Sequence, residues 1–174
     1  LAMSKPSRLS EDIELISETL QGHGYTTGGI VSNINLAQSF GFDQGYDEYH
    51  YLGPDYLIGA QESSSKLILY QIARSVILKL RGSDLYPNDF YQPADVVNEV
   101  ALDWLDRNES GRFFLFLHYM DPHDPYFVRP LDGSGVARVT GDPEPEEASR
   151  LRELYVGEIE YLASQFGRLL EKLQ

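Results

Sequence analysis

A chain of 174 residues has room for one domain with a real hydrophobic core, and 42% hydrophobic with 24% charged residues places it among ordinary globular sequences, not disordered ones. No apolar run approaches bilayer-spanning length, and the absence of cysteine leaves these residues no disulfide, no thiolate metal ligand and no cysteine-derived nucleophile. A formal charge of −13 repels phosphate, which disfavours nucleic acid and anionic membranes as partners.

Leu9, Ile13, Ile16 and Leu20 recur at helical spacing, with Ser10 as N-cap, Glu11 and Asp12 in the first turn and Gly22 and Gly24 as stops, so a first helix is expected here. Thr26 to Ser32 reads as a short strand running into Asn33-Ile34-Asn35. The stretch from Phe40 to Tyr51 mixes aromatics with turn formers and reads as an ordered loop. Helical spacing returns from about Tyr56 to Leu80, with Gly82 as a stop. Pro93 suits a first helical turn, and Val96, Val97, Val100, Ala101, Trp104 and Leu105 form the apolar face of a helix ending near Asn108. Phe113-Phe114-Leu115-Phe116-Leu117 is a continuous apolar run, the pattern of a parallel strand covered on both faces. Gly, Pro and acidic residues make an exposed loop of about 132–147, and Leu151, Leu154, Tyr155, Leu162, Phe166, Leu169, Leu170 and Leu173 trace a final helix. This alternation predicts an α/β domain over 1–174: a layered α/β/α sandwich with a mainly parallel sheet.

The strongest strand runs directly into His118-Tyr119-Met120-Asp121-Pro122-His123-Asp124-Pro125-Tyr126, and in open α/β sheets ligands bind beyond the carboxyl ends of strands. Pro122 and Pro125 bracket His123 and restrict its backbone, so its imidazole is held for hydrogen bonding or proton donation. Two other readings of the same residues stand beside this one. The segment could be only a polar turn, and His118 and His123 could hold a metal with Asp121 or Asp124, although spacing on a turn fixes no coordination geometry.

The run from Phe114 to Tyr126, an apolar strand followed by His-x-Pro and an aromatic, resembles the strand and loop of the sulfatase family within the alkaline-phosphatase superfamily. Three more segments agree in order and spacing. Leu20-Gln21-Gly22-His23-Gly24-Tyr25-Thr26-Thr27 resembles the family's helix end and strand entry. Val31 to Leu36, followed by Gly41-Phe42-Asp43-Gln44-Gly45-Tyr46-Asp47, resembles its segment ending in a Gly-Phe-Asp loop. Tyr155-Val156-Gly157-Glu158-Ile159, with Gly167-Arg168-Leu169-Leu170, resembles its Tyr-x-x-Glu-Ile helix. The resemblance implies an incomplete alkaline-phosphatase-like fold and hydrolysis of a sulfate ester at a divalent cation, usually calcium. The nucleophile would be a formylglycine made from a Cys/Ser-x-Pro-x-Arg motif. It places that motif and a pair of aspartate ligands upstream of Leu1, and further ligands downstream of Gln174, so these residues are expected to hold neither. His123 matches the family histidine that contacts the sulfate and protonates the leaving group, a task that suits an imidazole.

Two departures accompany the match. Where many sulfatases carry Gly-Lys-Trp-His, this chain has Ser32-Asn33-Ile34-Asn35, so amides replace a lysine and a histidine that bind sulfate. Asn33 and Asn35 can donate hydrogen bonds to an anion without charge assistance, or they can simply turn the chain. Ala163 stands where the family often has Asp. The expected site is therefore His123 as the catalytic group with Asn33, Asn35, His118 and Asp121 on the substrate and no metal ligand. Two further functions stay open: an enzyme of the same superfamily acting on phosphodiesters, phosphonates or phosphoryl groups, and a non-catalytic acidic interaction domain. Exposed strand edges and apolar helix faces would favour self-association.

Overall fold

The structure is a computed structural model that describes residues 8–55, 72, 76, 84–136 and 141–174. These fall into two compact units, Leu1–Leu52 with Asp95–Tyr119, and Gly53–Ala94 with Met120–Gln174. Ile72 and Val76 are helical; the rest of the helix expected over 56–80 lies outside the described residues.

The first unit is a parallel sheet with helices, the α/β class expected of an alkaline-phosphatase-like fold. Helix α1 (Ile16–Gly22) leads into β1 (Thr26–Val31), which pairs in parallel with β2 (Glu48–Tyr51) on one side and β3 (Phe113–His118) on the other. Helix α2 (Ala94–Arg107) feeds β3. The centre of β1 is built for close approach. A Cβ on Gly28 would stand 2.6 Å from the Trp104 ring, and one on Gly29 2.5 Å from the Tyr49 ring, so paired glycines let an indole and a phenol lie against the strand. Thr27 N–H donates to Asp47 Oδ2 at 2.8 Å and Asp47 N–H to Thr27 Oγ1 at 3.0 Å, so the Gly-Tyr-Asp stretch closes the loop onto the start of β1.

Three expectations for this unit are corrected. Helix α1 starts at Ile16, not after Ser10: Glu18 reaches back to accept the Leu15 N–H at 2.8 Å and fixes the start there, while Ser10 accepts Asp12 N–H in a preceding turn. The stretch Phe40 to Tyr51 is not all loop, because its last four residues pair with β1, a tertiary contact that local turn chemistry does not announce. Strand β3 is not covered on both faces. It lies at the edge of the order β2-β1-β3 among the described residues, and Phe116 is exposed, although Phe113 meets Trp104 and Phe114 meets Tyr46.

In the second unit, β4 (Tyr126–Phe127) pairs antiparallel with β5 (Gly135–Val136), and α3 (Pro145–Lys172) is a long helix. The helix begins inside the stretch expected to be loop: Pro145 sits at its first turn with Glu146 and Glu147, the residues that suit a helix N-terminus. Leu151, Leu154 and Leu169 are buried, and so are Phe127 and Tyr91, whose rings meet edge to face at 6.3 Å. No described helix is long and apolar enough to cross a membrane.

Candidate active site

In the first unit β1 and β3 run in parallel register and end level, Val31 beside His118, and Ser32 N–H donates to the His118 carbonyl at 3.3 Å. Asn33, Asn35 and His118 therefore leave the sheet at its carboxyl edge, where α/β sheets bind ligands. Asn33 Oδ1 accepts the Asn35 N–H at 2.9 Å and caps the single 3-10 turn Ile34–Leu36, so this oxygen serves the chain's own turn. Asn35 is exposed. The His118 ring is half-buried, and burial pulls its pKa down, towards the neutral imidazole. Tyr119, the next residue, donates its hydroxyl to the buried Asn98 Oδ1 at 2.6 Å, which pins the strand end to α2.

The second unit holds Asp121 and His123. His123 N–H donates to the Met120 carbonyl at 2.6 Å, forming a turn, and the exposed imidazole has Nδ1 at 2.6 Å from the Asp124 carbonyl. A carbonyl only accepts, so Nδ1 carries the hydrogen, and Nε2 is the ring atom left to meet a ligand.

Asp121 does not face outward. Its side chain is fully buried and its Oδ1 accepts from Arg129 Nη2 at 2.9 Å. The same Nη2 stands 2.9 Å from Glu158 Oε2, Arg129 Nε stands 3.3 Å from both Glu158 oxygens, and Glu158 Oε1 accepts the Phe127 N–H at 3.1 Å. The guanidinium lies 3.7 Å from the Tyr161 ring centre, adding a cation–π contact. Burial pushes Asp121 up to about 6; the Arg129 guanidinium opposes that shift and the Glu158 carboxylate adds to it. Burial, with these carboxylates nearby, also raises the Tyr91 phenol. The expectation placed Asp121 on the ester; in the structure its carboxylate is enclosed and turned towards Arg129.

Arg129 and Glu158 are the residues that sequence reasoning missed as parts of the site. Glu158 had a signal: it falls at helical spacing from Leu151 and Leu154, so a carboxylate interrupts the buried stripe of α3. Arg129 had none.

Among the described residues no group of three or more His, Asp or Glu side chains could hold a metal ion. The buried carboxylates Asp121 and Glu158 already share a guanidinium, which a second cation would oppose, so the family's divalent ion does not fit there. One correction concerns the nucleophile motif. Ser4-Lys5-Pro6-Ser7-Arg8 does have the form Ser-x-Pro-x-Arg; Ser4 to Ser7 lie outside the described residues, and Arg8 stands exposed, 4.0 Å from Glu11.

The family model for sulfatases matches residues 2–174, and the chain belongs to the sulfatase family of hydrolases. No curated protein matches it.

Proposed function

We propose that this sulfatase-family chain is the central part of a sulfuric-ester hydrolase and presents His123 to the ester. The carrying observation is the His123 turn: an exposed imidazole whose Nδ1 is tied to the Asp124 carbonyl and whose Nε2 is left for a ligand. In the doubly protonated ring, Nε2–H would donate to the sulfate oxygen that bridges to the leaving group and pass its proton to the departing alkoxide as the sulfur–oxygen bond breaks, leaving a neutral ring protonated at Nδ1. Within the first unit, Asn33 and Asn35 would offer amide hydrogen bonds to an anion, and His118, neutral through burial, would offer one more. Formylglycine and a divalent cation, usually calcium in this family, would come from residues other than these 174, and the isolated chain would not turn over.

The Ser4 string offers the one place in this sequence where a formylglycine could form by the family's motif. Peptide mass analysis after co-expression with formylglycine-generating enzyme decides the point. Unmodified Ser4 is the expected result, and conversion at Ser4 would bring the nucleophile into this chain.

A second reading rests on Asn33 and Asn35, which stand where many sulfatases have charged groups and so bind a sulfate less strongly. In it the ester is a phosphodiester or phosphonate. Assays of the longer protein on aryl sulfates and on aryl phosphodiesters separate the two. Faster hydrolysis of the sulfate is expected; preference for the phosphodiester would carry the second reading, and no hydrolysis of either would favour an acidic interaction domain.

A further inference from the structure

We infer that Glu158 and Arg129 are positioning residues for His123, an inference that rests on the reading of His123 as the group at the ester. Residues 121–129 are clamped to α3 at both ends. At one end Asp121 accepts from Arg129, which Glu158 holds; at the other, Glu158 accepts the Phe127 N–H directly. The Tyr126 ring also meets Tyr155 of the same helix edge to face at 5.8 Å. His123 lies between the clamped ends, and among the described residues its ring hydrogen-bonds only to the adjacent Asp124 carbonyl, so the backbone sets its place there. The anchoring groups are enclosed: the side chains of Asp121 and Glu158 are fully buried, and that of Arg129 is 11% exposed. Ion pairs held that rigidly carry geometry, whereas exposed pairs on long side chains do not. Glu158 thus acts on His123 from another element, through two branches of one carboxylate.

The test reads His123 directly, without substrate. NMR of the His123 ring and amide exchange of His123 and Phe127 are compared in the unaltered chain, Glu158→Gln, Arg129→Lys and Leu169→Ala. Leu169 is buried on the same helix about 16 Å further along, so its loss weakens α3 without reaching the clamp. In a folded Glu158→Gln or Arg129→Lys chain the His123 ring signal is expected to split or broaden. The two amides are expected to lose about tenfold or more in protection, with little change in Leu169→Ala. An unchanged His123 in either folded variant, or an equal change in Leu169→Ala, would overturn the inference. Should neither variant fold, the unaltered chain decides: His123 and Phe127 amides that open together support the clamp, and protection differing by more than about tenfold overturns it. Because hydrolysis is not the readout, failure of the sulfatase reading leaves this result standing, and the reverse holds too.

Discussion

Burial pushes the Asp121 carboxyl up from 3.8 to about 6, with the Arg129 guanidinium opposing the shift and the Glu158 carboxylate adding to it. The folded state then holds this proton more tightly than the unfolded chain. The stability it brings is full below about pH 3.8 and is lost as pH rises through about 6. Asp121→Asn keeps an acceptor for Arg129 and cannot titrate. It is expected to flatten the profile, gaining on the order of 2–3 kcal/mol over the unaltered chain between about pH 4 and pH 7, as read by urea unfolding. A profile as steep as the unaltered chain's would contradict this account of Asp121. At this scale the exposed turn that carries His123 was legible, because two prolines and a preceding strand isolate it in the sequence. The burial of Asp121 was not, because its partner Arg129 lies 8 positions away and Glu158, which holds that arginine, lies 29 positions beyond it, separations at which spacing carries no signal.

Among the elements, β1 has little tolerance for added volume. Gly28→Ala puts a Cβ 2.6 Å from the Trp104 ring, and an indole enclosed in the core has nowhere to move. A loss of about 1–3 kcal/mol is expected in chemical denaturation, and a neutral result would mean that Trp104 repacks. Glu158→Ala leaves Arg129 without its main partner and the Phe127 N–H without an acceptor, so about 3–5 kcal/mol is expected to go in the same experiment. Elements with strong periodicity or apolar runs, α2 and β3, were legible almost to their ends. Strand β2 was hidden because its residues read as turn formers and aromatics, and only pairing with β1 makes them a strand. The start of α3 was hidden because prolines and acids serve a loop and a helix N-terminus equally well.

For the molecule as a whole, a charge of −13 opposes association while apolar surface favours it. Phe116 on the edge strand β3, and Tyr155, Ile159, Phe166, Leu170 and Leu173 at helical spacing along α3, are exposed. Salt screens the repulsion without weakening apolar contact, so light scattering is expected to show self-association that grows with ionic strength. A clean monomer at high salt would contradict it. The family and the α/β class were legible because four separated motifs kept their order along the chain, a signal that no local pattern could give. The most direct test of the proposed role is a comparison of kcat for aryl sulfate hydrolysis in the longer protein, matured with formylglycine-generating enzyme and calcium, with and without His123→Ala. A fall of about 10²–10⁴-fold with the fold intact is predicted for loss of a general acid. Hydrolysis unchanged in His123→Ala would contradict the central claim.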